Sequence, residues 1–127
     1  MKVVVDSNGW LEFFVDGPNA DAFAPTLANP ASVLVPALSL YEVARVVLRE
    51  RGAGPASQAI ALMRRGQVVD VDAELAIAAS RLGHSLKLSL ADSTILATAR
   101  AHGATLWTQD ADFKGMDGVR YVPRKNT

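Results

Sequence analysis

Five acidic residues stand where their side chains could act together. Asp6 directly follows Val3-Val4-Val5, Glu42 lies in ALSLYEVARV, Asp92 in SLADSTILATA, and Asp110 and Asp112 in LWTQDADF. Carboxylates gathered at one place repel one another and resist ionisation, and a hard divalent cation removes that repulsion. Oxygen-only ligation with open positions suits Mg²⁺ or Mn²⁺, and a pair of such ions about 4 Å apart clamps the attacking and leaving oxygens of a phosphodiester. The chain offers little competing metal chemistry. Its zero cysteines exclude thiolate sites and disulfides, and two histidines leave little for a zinc centre.

Each acid also has a plainer use. Asp6 is a suitable N-cap for a helix opening at Gly9-Trp10. Ser39-Leu40-Tyr41-Glu42 has the S-x-x-E form of a capping box, and Ser89-Leu90-Ala91-Asp92 is its aspartate version. Capping accounts for each acid singly. It does not account for four of them at one edge of a sheet.

That common edge follows from the elements. Val3-Val4-Val5 is a continuous β-branched run of the kind buried on both faces of a parallel sheet. Strands are predicted at 2–5, 33–35, 68–71, 105–108 and 119–122. Helices are predicted at 7–15, 19–28, 39–51, 56–65, 73–83 and 90–102, bounded by Asp16-Gly17-Pro18, by Gly52-Ala53-Gly54-Pro55, by Gly66 and by Gly103. Pro25 is expected near an end of the second helix or as a break in it. Alternating strands and helices imply a parallel sheet covered on both faces, with ligands at the carboxyl ends of its strands. Asp6 and Asp110 follow strands directly, and Glu42 and Asp92 are expected in the first turns of the helices that come after.

Composition sets the limits. The chain has 127 residues, 50% hydrophobic and 20% charged, which fits a single domain spanning 1–127 with a sizeable core. No run of about eighteen apolar residues exists, and Met1-Lys2 leads straight into the first strand, so neither membrane insertion nor secretion is expected and the cytoplasm is the expected location. The formal net charge is zero, which withholds the usual electrostatic argument for a nucleic-acid binder. Arginines bunch at Arg45, Arg49 and Arg51 and at Arg64-Arg65, a pattern of solvated helix faces. By position, Lys114, close behind Asp110 and Asp112, and Arg45, one turn beyond Glu42, are candidates for phosphate contact, although a solvent-facing role is commoner for such residues.

The segments VVVDSNGWL, SLYEVARV, LADSTILATA and LWTQDADF, in this order and spread over nearly the whole chain, resemble the PIN domain, specifically the single-domain toxins of the VapBC toxin-antitoxin type. The resemblance implies a three-layer α/β/α fold with a central parallel sheet of about five strands, and a metal-dependent ribonuclease that leaves 5′-phosphate and 3′-hydroxyl ends. Asp6, Glu42, Asp92 and Asp110 match the acidic positions of the family's active site. Among these, Asp6, Asp92 and Asp110 are expected as ligands of Mg²⁺ or Mn²⁺, and Glu42 as a metal ligand or as the group that orients the attacking water. Asp112 matches a further acid that assists in some members, and Ser7 and Thr108 match hydroxyl positions that support the site. Asn8 departs from the serine or small residue frequent at its position. The expected partners are RNA, a VapB-type antitoxin and a second copy of the chain.

The residues themselves point to hydrolysis without a covalent enzyme intermediate. Ser7 lacks the G-x-S-x-G elbow, and His84 and His102 sit beside Gly83 and Gly103, where helix C-termini favour histidine. In Trp10, Leu11, Phe13, Phe14 and Val15 the first helix is apolar around more of its circumference than one core stripe requires. Trp10, Phe13 and Phe14 are therefore candidates for partner contact, and equally for packing on two sides. Two rival functions share many of these features. A catalytically inactive PIN fold that only binds a partner would not need all four acids. A phosphoacceptor receiver domain needs a lysine after its last core strand, where this chain has Gln109-Asp110.

Overall fold

The computed structural model describes residues 1–125. Five strands form one sheet: β1 (Val3–Val5), β2 (Val33–Pro36), β3 (Gln67–Val69), β4 (Thr105–Thr108) and β5 (Val119–Tyr121). Six helices alternate with them: α1 (Ser7–Phe14), α2 (Ala20–Leu27), α3 (Ala37–Arg51), α4 (Ala53–Met63), α5 (Ala73–Leu86) and α6 (Leu90–Ala101). Single 3₁₀ turns precede β2 at Pro30–Ser32 and follow β4 at Ala111–Phe113. The strand order is β3-β2-β1-β4-β5, and every pairing is parallel. Val3 pairs with Val33 on one side and with Thr105 on the other.

Burial on both faces explains the apolar strands. Val3, Val5, Val33 and Val35 point to one side, where Phe23 of α2, Val43 of α3 and Met63 of α4 complete a core. Val4, Leu34 and Leu106 point to the other, against Ile95 and Leu96 of α6 and against Phe113. The period-2 alternation thus divides one sheet between two cores, the three-layer arrangement expected of a parallel sheet. Among the described residues, no helix is long and apolar enough to cross a membrane.

Several boundaries differ from those read in the sequence. α3 starts at Ala37 with Pro36 as its N-cap, two residues before the serine read as a cap. α4 starts at Ala53 and takes Pro55 into its first turn, where a missing N–H costs no helical bond. Pro25 sits inside α2 without ending it. α5 runs past Gly83 to Leu86 and stops at Lys87 in the left-handed conformation, φ 59°. Gly83 is there for packing. A Cβ on it would lie 3.3 Å from Ser93 Oγ of α6, so the missing side chain lets the two helices approach.

The order of the strands locates the functional edge. The chain builds outward from β1 through β2 to β3, then returns to lay β4 and β5 on the other side of β1. The carboxyl ends of β1 and β4 therefore flank the topological switch point, the crevice where open α/β sheets bind ligands.

Candidate metal centre

Asp6 leaves β1 at this crevice and is 3% exposed. Its Oδ1 accepts the Ser7 N–H at 2.8 Å, which makes it the N-cap of α1. Its Oδ2 accepts the Thr108 hydroxyl at 2.8 Å and the Asn8 side-chain amide at 3.2 Å. Thr108 Oγ1 in turn receives the Asp110 N–H at 3.0 Å, so one hydroxyl at the end of β4 ties together the acids that follow two adjacent strands. Close docking of α1 makes this possible. A Cβ on Gly9 would lie 2.7 Å from Val5 Cγ1 and 2.8 Å from Phe23 Cε1, so only glycine lets the helix sit this near β1.

Glu42 lies in the second turn of α3, not the first, because the helix starts earlier than the Ser39 capping box would require. Ser39 is fully buried, its hydroxyl has no hydrogen-bond partner among the described residues, and α3 has no side-chain cap. Glu42 is held instead by Ser7, whose hydroxyl donates to Oε1 at 2.6 Å. At the N-terminus of α6 the capping is done by Ser89, whose Oγ accepts the Asp92 N–H at 3.1 Å. Asp110 caps the 3₁₀ turn after β4 by accepting the Asp112 N–H at 2.9 Å. Capping and clustering are therefore compatible: Asp6 and Asp110 do both, and Glu42 is no cap at all.

Asp92, Asp110 and Asp112 each present a carboxylate oxygen, and these three atoms lie within 4.8 Å of one another. Oxygens bound in common by a magnesium-sized ion at about 2.1 Å are about 3–4 Å apart. The donor set is hard, anionic and close to that spacing, so the residues fit Mg²⁺ or Mn²⁺. Asp112, expected only to assist, belongs to this tight group, while Asp6 stands beside it. Burial is the main cause that lifts the Asp6 carboxyl to about 6; the bonds from Thr108 and Ser7 oppose the shift, and the charges of Asp92 and Glu42 add to it. The Asp92 carboxyl is also raised, first by burial and then by Asp110, with Ser89 opposing and Glu42 and Asp112 adding. The five acids thus form one field of mutually repelling charge, which a cation would relieve.

The PIN domain model matches residues 3–119. The chain belongs to the PIN domain family. Among curated proteins there is no match. Solved structures share the fold at low identity. A toxin-antitoxin complex from Klebsiella pneumoniae is 23% identical with a TM-score of 0.79, over 94% of this chain and 96% of that one. Mycobacterium tuberculosis VapC20, described as a sarcin-ricin-loop-cleaving toxin, is 22% identical with a TM-score of 0.75, over 98% and 100%. Rickettsia felis VapBC2 bound to a promoter DNA fragment is 18% identical with a TM-score of 0.74, over 97% and 98%.

This PIN domain also carries a polar network that sequence reading missed. Gln109, 2% exposed, donates its backbone N–H to Asn8 Oδ1 at 3.0 Å and its side-chain amide to the Asn8 carbonyl at 3.3 Å. Asn19, 1% exposed, donates through Nδ2 to Gln109 Oε1 and to the Pro123 carbonyl, each at 2.8 Å. Because Asn8 Oδ1 faces a donor, its amide nitrogen must face Asp6 and Thr108, so the departure at Asn8 supports the site. In the sequence Asn19 reads only as the opening residue of the second helix, directly after Gly17-Pro18, and no periodicity singles out Gln109. The aromatics of α1 divide: Trp10, 3% exposed and 5.8 Å from the Phe14 ring, packs into the core, the second of the two uses its sequence allowed, whereas Phe13 and Phe14 are half-buried.

Proposed function

We propose that this PIN domain is a Mg²⁺- or Mn²⁺-dependent ribonuclease of the VapC toxin type, acting in the cytoplasm and silenced by a VapB-type antitoxin. The observation that carries the reading is the convergence of the Asp92, Asp110 and Asp112 oxygens within 4.8 Å, beside a buried Asp6 whose carboxyl is pushed up by burial and by its neighbours. The toxin-antitoxin complex from Klebsiella pneumoniae, the sarcin-ricin-loop-cleaving toxin VapC20 and the VapBC2 of Rickettsia felis, which share this fold, support it by analogy.

In this mechanism Asp92, Asp110 and Asp112, with Asp6 alongside, would hold the metal. When bound, the ion supplies positive charge against the phosphodiester oxygens as the bond to the leaving oxygen breaks. Glu42, fixed by the Ser7 hydroxyl, orients the attacking water and draws off its proton. Thr108 and Asn8 keep Asp6 from turning away. Ser7 is occupied as a donor and is not the nucleophile. Water oxygen bonds to phosphorus, the bond to the 3′ oxygen breaks, and that oxygen takes a proton, leaving 5′-phosphate and 3′-hydroxyl ends.

The antitoxin would cover the apolar side of α1. A groove of about 430 Å³ runs between α1, α3 and α4, lined by Leu11, Phe14, Val47, Ala59 and Leu62 among others. A neighbouring one of about 350 Å³ is lined by Phe13, Leu27 and Leu62. A partner helix carrying large apolar residues at i, i+3 and i+4 fits such a surface.

Incubation of the purified protein with total bacterial RNA tests the reading. Cleavage that requires Mg²⁺ or Mn²⁺ and stops in EDTA is expected, with 5′-phosphate ends at the mapped sites. Undiminished cleavage in EDTA, or a requirement for Zn²⁺ alone, would overturn the metal chemistry. No cleavage under any metal, with antitoxin binding retained, would favour a PIN fold that only binds its partner.

A further inference from the structure

The neutral net charge hides a local imbalance. Residues 114–125 contain Lys114, Arg120, Arg124 and Lys125 against Asp117 alone, and this segment runs along the sheet edge next to the acids. Arg120 lies over the Trp107 ring at 5.3 Å, and Lys114 over the Tyr121 ring at 6.0 Å. Directly beyond β5, residues 122 and 123 stay bonded to the fold. The Val122 N–H donates to the Thr108 carbonyl at 2.8 Å, and the Pro123 carbonyl receives one of the two hydrogens of buried Asn19. A buried N–H is costly unless it is bonded; both Nδ2 hydrogens of Asn19 are bonded, one of them to this segment, while its Oδ1 has no partner among the described residues. The next residue is Arg124. It is exposed and forms no ion pair with any described residue.

Between this fastened segment and the turn after β4 lies an open groove of about 490 Å³, with Asn8, Asp110 and Ala111 on one wall and Tyr121, Pro123 and Arg124 on the other. It begins at a residue of the metal centre and ends at an unpaired cation. A half-buried aromatic ring stands between them. A strand of nucleic acid alternates phosphates with flat, stackable bases, and proteins hold unpaired strands with cations on the phosphates and aromatic side chains on the bases. Duplex would not fit, because its bases are hidden within the stack.

We propose that this groove is the subsite for one unpaired nucleotide of RNA next to the scissile bond, with the Tyr121 ring against the base and Arg124 on the phosphate. The inference rests on the ribonuclease reading above and deepens it. It also supplies the RNA path that overall charge conceals: the positive face is the β5 edge of the sheet rather than the arginines of α3 and of the turn after α4. Lys114, over the Tyr121 ring, adds positive charge beside the groove without lining it.

The test uses an RNA oligonucleotide carrying a cleavage site mapped on total RNA. Arg124→Ala and Tyr121→Ala should each raise KM by about tenfold with little change in kcat, the mark of binding lost equally from ground and transition states. For Arg124→Ala the slope of log kcat/KM against log salt should become shallower by about 0.7, one phosphate contact fewer on a single strand. The Mg²⁺-induced rise in melting temperature should match the wild type in both variants. Arg64→Ala, at the far end of α4, should leave every quantity unchanged. Arg124 is exposed, so its variant keeps the test readable even if Tyr121→Ala folds poorly. A wild type that cleaves the RNA while Arg124→Ala keeps its KM and salt slope would overturn the groove and leave the ribonuclease standing. Equal weakening by Arg64→Ala would also overturn the groove, as general surface charge. A wild type that cleaves no RNA overturns both.

Discussion

The Ser7 hydroxyl donates to Glu42 Oε1 at 2.6 Å across 35 residues of sequence, tying the first turn of α1 to the second turn of α3. The bond fixes an acid that no helix cap holds. Ser7→Ala should therefore cut the cleavage rate by about tenfold or more, as loss of an orienting partner does, while stability changes by about 1 kcal/mol. Paired measurements of kcat and of the thermal midpoint check this. A variant with full activity would release Glu42 from the role of orienting water.

Asp6 sets a pH dependence with a defined sign. Its carboxyl titrates at about 6 in the fold against 3.8 for the ordinary group, so the native state binds the proton more tightly than the unfolded chain. The stability this contributes to the metal-free protein is fully present below about pH 4, is lost as pH rises through about 6, and levels off above. The difference corresponds to about 3 kcal/mol. Melts in EDTA from pH 4 to 7.5 should show the decline, and Asp6→Asn should flatten it. Parallel curves for the two proteins would refute the assignment.

Asp92 separates a metal site from a set of caps. The capping bond at α6 belongs to Ser89, so Asp92→Asn removes a repelled charge without removing the cap, and the metal-free variant should be as stable as the wild type or more so. Saturating Mg²⁺ binds the native state and should raise the wild-type melting temperature, with a much smaller rise in Asp92→Asn. RNA cleavage by the variant should collapse. Equal Mg²⁺ shifts together with retained cleavage would take Asp92 out of the centre.

Gly9 couples the core to the site. Alanine there would press on Val5 and Phe23 and push α1 off β1, at a cost of about 1–3 kcal/mol. Because Asp6, Ser7 and Asn8 all sit at that junction, the Mg²⁺-induced melting shift should shrink as well. Calorimetric scans with and without Mg²⁺ read both effects. A destabilised Gly9→Ala with an undiminished metal shift would show that the docking of α1 does not set the metal geometry.

Phe14 lines the larger apolar groove and Phe13 the smaller, both without full burial. Phe14→Glu or Phe13→Glu should weaken the antitoxin complex by about 2 kcal/mol or more, while at least one of them leaves the isolated protein folded. Titration calorimetry with the purified partner measures the loss. Unfolding of both variants would return these rings to the core with Trp10.

Local chemistry sufficed for much of this architecture. Val3-Val4-Val5 and Val33-Leu34-Val35 could only be strands buried on both faces, and the alternation with helical stretches called for a parallel sheet whose carboxyl edge carries Asp6 and Asp110. Those features depend on burial periodicity and chain direction, which a linear sequence records. The resemblance to the family rested on the same four segments.

Docking decided the rest. Whether Ser39 begins a helix or lies inside one depends on Pro36 and the end of β2, so Glu42 became a side chain held by Ser7 instead of half of a capping box. Gly83 reads as a stop until α6 packs against it. Asp112 joined Asp110 and, across the gap between α6 and the turn after β4, Asp92, while Asn19 reached Gln109 and Pro123 through contacts spanning most of the chain. Such contacts have no local signature. A shift of one or two ångströms between helix and sheet makes or breaks a shared metal site, and that distance is set by the volumes of side chains remote from it, such as the missing Cβ of Gly9.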